Sequence, residues 1–215
     1  RARAEGIIPH GPAGEILFRD RLVGLRLIHE KMMELAPGEP DRIPIDITLI
    51  GTRIRGDLSA FGDGLLVCTR RGALRGWELL CAWIDLLCLG ASGRGGEALL
   101  IGLEKDQPEV RRLSMPADPQ TCLAELLAIF RRGSGEVLPF FSEAAKVFVE
   151  NLFQGKTMDY SLGKAAGKYR PDRGWGAADD RWVSFVFQDD DPIGSDFAKL
   201  SQKIFLPIFK AANNE

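Results

Sequence analysis

Arg53, Arg55, Arg70, Arg71 and Arg75 crowd into one short stretch of this chain, with Asp57 and Asp63 between them. Guanidinium groups gathered in this way suit phosphate oxygens, which they contact without regard to base sequence. The same pattern also describes an ordinary solvated face, and Asp57 by itself reads as a polar, outward residue on a half-buried strand. Other candidates for chemistry fall away on spacing. The two histidines, His10 and His29, are far apart, and a lone helical His29 is a surface or packed residue rather than a triad member. Cys68, Cys81, Cys88 and Cys122 lie in or beside apolar runs with no C-x-x-C pair and no Cys/His ligand spacing. They are expected to be buried free thiols in a reducing cytoplasm, and no structural zinc is expected. The glycine-rich run Gly90–Gly96 follows a predicted helix and opens a strand, the reverse of a dinucleotide-binding turn, so it is a connector. Asp189-Asp190-Asp191 lacks the glycine and distal glutamate of a calcium loop and reads as a solvated turn.

The arginines must be positioned by three short strands and the opening of a helix. Asp46, Thr48 and Ile50 alternate with Ile45, Ile47 and Leu49, which predicts a strand over Ile45–Ile50, and Gly51-Thr52 marks the turn after it. Arg53, Arg55 and Asp57 then alternate with Ile54 and Leu58, and Gly62-Asp63-Gly64 turns the chain into the apolar run Leu65–Cys68. Upstream, Leu17, Phe18, Leu22, Leu25, Ile28 and Met32 recur in steps of three and four, which predicts a helix over Glu15–Leu35 that covers one face of the sheet. Leu74–Leu89 is apolar nearly all round, so Trp77, Leu80, Trp83 and Ile84 are expected to be buried between the sheet and later helices. Ala98–Leu103 and Val110–Ser114 read as further strands. Asp118 before Pro119 starts a helix, Ser142 caps another, and Ser195–Lys210 is the last. Lys164–Asp180 is expected to be a surface loop, with Trp175 as a packing anchor.

At 215 residues, with 45% hydrophobic and 27% charged residues, the chain has the composition of an ordinary globular protein. Its formal net charge of −2 excludes whole-chain basicity as a ground for nucleic-acid binding, leaving only local clusters. No signal-like start and no apolar run long enough to cross a bilayer are present, so a cytoplasmic location is expected. The start Arg-Ala-Arg-Ala, without Met, suggests a fragment of a longer chain. The elements define an α/β (α+β) class: residues 1–115 form a core of helix, three-strand meander, helix and strand, and residues 116–215 form a mainly helical region packed on it as one compact domain.

Strand, strand, strand and apolar helix, in that order, is similar to the centre of the PD-(D/E)xK nuclease core, where an Asp on the second strand and acid-x-Lys on the third hold a metal. Gly56-Asp57 falls at the first position, whereas Leu66-Val67-Cys68-Thr69-Arg70 departs from the second. A thiol is a soft ligand where magnesium requires hard oxygens. Four longer stretches resemble the RecC carboxy-terminal domain family: GRGGEALLIG at Gly93–Gly102, LAELLAIFRRGSGEVLPFF at Leu123–Phe141, DRWVSFVFQDDDPI at Asp180–Ile193, and the closing FAKLSQKIFLPIF. RecC is the gamma chain of exodeoxyribonuclease V, the RecBCD helicase–nuclease.

That resemblance implies a restriction-endonuclease-like fold that has lost its chemistry, with a degenerate site at Asp57, Cys68 and Arg70, no catalytic residue, no metal and no cofactor. It implies a chain inactive alone, working in a complex of double-strand break repair and homologous recombination. The implied partners are RecB-like and RecD-like subunits and duplex or forked DNA, touched through Arg53, Arg55, Arg70, Arg71 and Arg75, and no membrane. Two other readings remain at this point. One is an active magnesium-dependent nuclease in which Glu15 or Glu78 helps Asp57, and the other is a protein-interaction module that touches no DNA.

Overall fold

A computed structural model describes residues 11–188 and 190–212. The expectations placed on His10, on Asp189 and on the side chain of Leu17 lie outside the described residues. Strands β1 (Asp41–Leu49), β2 (Thr52–Phe61), β3 (Leu65–Thr69), β4 (Glu97–Glu104) and β5 (Gln107–Ser114) form one sheet in the order β1-β2-β3-β4-β5. All neighbours are antiparallel except β3 and β4. A parallel pair cannot be joined by a tight turn, and helix α2 (Gly76–Ala91) supplies the crossover. The glycine-rich segment after α2 therefore leads from a helix into β4, the order read from the sequence.

Strand β4 is buried from Ala98 to Leu103 because both of its faces are covered. On one face α1 (Pro12–Leu35) lies against β4 and β5, with Ile28 packed among Leu99, Ile101 and Leu103. Gly24 permits this approach, since a Cβ there would stand 3.0 Å from Leu103 Cδ1. On the other face α2, α3 (Pro119–Gly133), α4 (Ser142–Phe153) and α7 (Ser195–Ala212) close over Leu66, Ala98, Leu100 and Leu113. Leu79, Trp83, Leu86 and Leu87 of α2, Phe148 of α4, and Phe197 and Phe205 of α7 fill that side. Helix α5 (Met158–Tyr169), a 3-10 turn at Ala177–Asp179 and α6 (Arg181–Phe187) complete the carboxy-terminal part. The described residues thus form a mixed α/β fold, with seven α-helices and the 3-10 turn around a five-stranded sheet.

Several expectations change in detail. Strand β1 begins at Asp41 rather than Ile45; it runs through Pro44, which an edge strand tolerates because the missing N–H faces no neighbour. The hairpin turns at Ile50-Gly51, not Gly51-Thr52, with φ of 43° and 73°, the left-handed pair of a two-residue loop. Trp77 is 62% exposed and Ile84 36%, while Trp83 is 2% exposed. Residues 77 and 84 are seven apart on one row of α2, and that row is the flank left open by the sheet and by α3, α4 and α7. In α1 the buried row is Gly24 and Ile28, and Leu22 and Leu25 are exposed. The helix carries apolar residues on two sides, and periodicity alone does not choose between them. Phe141 occupies the cap position of α4, with Ser142 as the first helical residue. Helix α5 extends to Tyr169, so the loop starts later than Lys164, and Trp175 is 75% exposed rather than packed. Of the four thiols, all free, only Cys88 is buried.

Candidate functional site

The β1–β2 hairpin extends well past its pairing with β3, which is limited to Ala60–Leu66 and Phe61–Leu65. Its pleat sends Ile43, Ile45, Ile47, Ile54 and Leu58 toward the helices and the charged residues outward. On the outer face Asp46 accepts from Arg53 Nε at 2.7 Å and Nη2 at 2.6 Å, and from Arg55 Nε at 3.2 Å. The Arg53 hydrogen bonds hold the Asp46 carboxyl below its ordinary range. Asp57 accepts from Arg42 Nη2 at 2.6 Å, which lowers its pKa likewise. Arg53 and Arg55 are thus already shared with one acid, and Asp57 is engaged with a cation.

Asp57 also lines a crevice of about 270 Å³ with Cys68 of β3 and Asp85 of α2. Asp85 is the residue that sequence reasoning missed; its only signal was a single acid inside the apolar run Ala82-Trp83-Ile84-Asp85-Leu86. Desolvation by its surroundings raises the Asp85 carboxyl even though part of the side chain reaches solvent. Desolvation, with Glu78, Cys81 and Asp85 adding, likewise raises the Cys68 thiol, and burial beside Asp85 pushes Cys88 up to about 11. Thiols so shifted are poor nucleophiles at neutral pH. Neither Glu15 nor Glu78 lines this crevice. Among the described residues, no three His, Cys, Asp or Glu side chains converge as metal ligands.

The last candidates lie on the segment from β3 into α2. Arg70 turns inward to Glu78, whose second carboxylate oxygen accepts the Arg75 backbone N–H at 3.2 Å. The Arg70 Nε has no partner, and Arg70 keeps only 24% of its side chain exposed. Glu109 of β5 accepts from Leu74 N–H at 3.3 Å, Lys146 of α4 donates to the Leu74 carbonyl at 2.7 Å, and Glu143 accepts from Gly76 N–H at 2.6 Å. Strand β4 holds the same segment from the side, with Leu103 N–H on the Gly72 carbonyl at 2.8 Å. Arg71 and Arg75 therefore stand exposed on a pinned segment, and neither has a carboxylate partner among the described residues. Of the five arginines, these two keep their charge free.

A mixed sheet between helices, with a small acid-lined crevice and a pinned basic segment beside it, defines a mixed α/β domain. The family model for the RecC C-terminal domain matches residues 1–153, and the chain belongs to that family. It is 29% identical, over 96% of its length, to the RecBCD enzyme subunit RecC of Mycolicibacterium smegmatis. The chain spans about a fifth of that relative, 21% of its length. The crystal structure of SSO0001 aligns with 54% of this chain and 59% of its own at 13% identity and a TM-score of 0.36, and nothing about the fold rests on it. No helix among the described residues is long and apolar enough to cross a membrane.

Proposed function

We propose that this domain is a non-catalytic, DNA-engaging and scaffolding part of the gamma chain of an exodeoxyribonuclease V complex, acting in double-strand break repair and recombination. Its proposed partners are RecB-like and RecD-like subunits and duplex or forked DNA. Residues 1–115 form the nuclease-like core in this reading and residues 116–215 a helical region packed on it as one domain. The observation that carries the proposal is the state of the three positions Asp57, Cys68 and Arg70: Asp57 is tied to Arg42, Cys68 stands at the acid position of the third strand, and Arg70, outside the crevice, is turned to Glu78. One engaged carboxylate and one partly desolvated one, Asp85, do not supply the charge and open oxygens that orient magnesium against a phosphate. The scaffolding part is supported by apolar surface left open on α1 at Ile16, Val23 and Leu25 and on α6 at Phe185.

Incubation with linear DNA and magnesium is expected to give no cleavage. Cleavage that disappears in Asp57→Ala would restore the nuclease reading. DNA engagement is tested by the salt dependence of binding to a forked duplex. Arg71→Ala with Arg75→Ala is expected to flatten the log–log slope by about 0.9 for each phosphate that is no longer neutralised, against no change for Arg19→Ala with Arg26→Ala on α1. Equal slopes would remove these arginines from the DNA path and favour the protein-interaction module.

A further inference from the structure

Arg75 also reaches a second cavity, of about 400 Å³, that none of the residues discussed for the crevice lines. Its other side is formed by Lys168 near the end of α5 and by Trp175. Trp175 is 75% exposed, yet the backbone that carries it is fixed. Gly176 is buried, and a Cβ there would collide with Pro171 and the Tyr169 carbonyl. The Gly176 N–H donates to Asp179 Oδ2 at 2.7 Å. The floor is Phe141, 8% exposed and held by ring contacts to Tyr169 at 4.6 Å and Phe187 at 5.6 Å. Glu143, the one acid in the lining, is occupied by the Gly76 N–H. Lys168 and Arg75 are exposed and have no carboxylate partner among the described residues.

We infer that this cavity takes an unpaired nucleotide of a single strand, with its base stacked on the Trp175 indole and its flanking phosphates on Arg75 and Lys168. An open indole on a fixed backbone beside two unpaired cations is the arrangement that binds single strands, since every base has a stacking face and every linkage a charge. An acidic peptide would satisfy the cations and leave the indole without a flat partner. Arg75 joins this cavity to Arg71, so a strand parted from a duplex held at the basic segment would reach it directly. The inference rests on the DNA-engaging reading above, and its test separates the two.

The probes are an oligothymidylate of about 12 nucleotides, within the span such sites cover, and an abasic strand of equal length. Binding is read at low salt by the quenching of tryptophan fluorescence and by anisotropy of a labelled strand. The chain is expected to bind the oligothymidylate more tightly than the abasic strand. Trp175→Ala is expected to weaken oligothymidylate binding by about 5- to 150-fold, to the abasic level, and Trp175→Phe to recover most of it. Lys168→Ala is expected to weaken both strands alike. Forked-duplex binding, measured in parallel, is expected to survive Trp175→Ala and to fall in the Arg71, Arg75 double variant. Equal affinity for the two strands, unchanged oligothymidylate affinity in Trp175→Ala, or no single-strand binding at all would each overturn the inference. Absence of forked-duplex binding by the parent chain, with single-strand binding intact, would instead count against the DNA path at Arg71. Because Trp175 is so exposed, its replacement leaves the fold intact, which matching thermal melts would verify.

Discussion

The β1–β2 arm and the β3–β4 seam use the same kinds of residue to opposite ends. In the arm the charges lie outside on a two-stranded ribbon, and Asp46, Arg53, Arg55, Arg42 and Asp57 pair across solvent. Exposed pairs of this kind add little to stability because water and salt screen them. At the seam Arg70 and Glu78 are 24% and 14% exposed, and the surrounding segment is tied by Glu109, Glu143 and Lys146. Here the low exposure makes each polar group depend on its partner. The contrast teaches how placement decides what a charge does: Asp57 on the arm is neutralised by a surface cation, and Arg70 at the seam is locked into the framework.

The widest gap between the two regions is set by α2, the crossover that makes the seam possible. Trp83, 2% exposed among Leu66, Leu100 and Phe148, is expected to cost about 3–5 kcal/mol when replaced by Ala in a denaturant titration. Trp77→Ala, on the open row of the same helix, is expected to stay within about 0.5 kcal/mol. Comparable losses for both would mean that the open row is covered. Next in size is the seam's ion pair. Glu78→Gln leaves the inward Arg70 without its counter-charge and weakens the tie to the Arg75 N–H, for a loss of about 1–3 kcal/mol. Asp46→Asn in the arm is expected to leave the denaturation midpoint where it is. If the arm substitution proved the more costly, the contrast between the regions would fail.

Much of the seam was legible in the sequence because burial on both faces leaves an unambiguous trace. Ala98–Leu103 is an unbroken apolar run, and it becomes the strand covered on both sides. Asp118 before Pro119 announced a cap, and its side chain does accept the Thr121 N–H at 3.0 Å. The arm was legible as alternation but not in its ends, because Pro44 and Ile50 each break a local rule that an edge strand and an exposed turn can tolerate. The site was harder to read. Five arginines look equivalent in one dimension, and only the fold shows that Asp46 takes two of them and Glu78 a third. Asp85 was hidden for the converse reason, since a single acid inside the apolar run Ala82–Leu86 gives no hint of what strand stands opposite.

Ile50 offers a smaller test from the arm's side. A β-branched residue at φ 43° is strained, and the two-residue turn it occupies favours Asn before Gly. Ile50→Asn is therefore expected to raise stability by about 1 kcal/mol. A loss of stability would show that Ile50, 48% exposed, is held by a contact worth more than its strain.

The smallest expected effect is also the one that tests the crevice between the two regions. Asp57 and Asp85 line it together, yet their carboxyls are displaced in opposite directions, Asp57 downward by Arg42 and Asp85 upward by desolvation. For Asp85 the folded value lies above the unfolded one, so between the two the native state holds more protons. Stability then falls as pH rises through that window, and the loss is complete above the folded value. For Asp57 the sign reverses: its contribution is present above the unfolded value, near 3.9 for a free Asp, and is lost as pH falls. Asp85→Asn is thus expected to be slightly more stable than the parent at neutral pH and to converge with it in acid. Because solvent reaches the Asp85 side chain, the gain should stay within about 0.5 kcal/mol. Asp57→Asn should at most lose a little stability at neutral pH, since its pair with Arg42 is exposed and screened, and converge with the parent from the other side. Thermal melts from pH 3 to 8 on both variants would measure the two slopes, about a midpoint near the free-carboxyl range. Slopes of the same sign would mean that desolvation in the crevice, and not the pairing with Arg42, governs Asp57 as it governs Asp85.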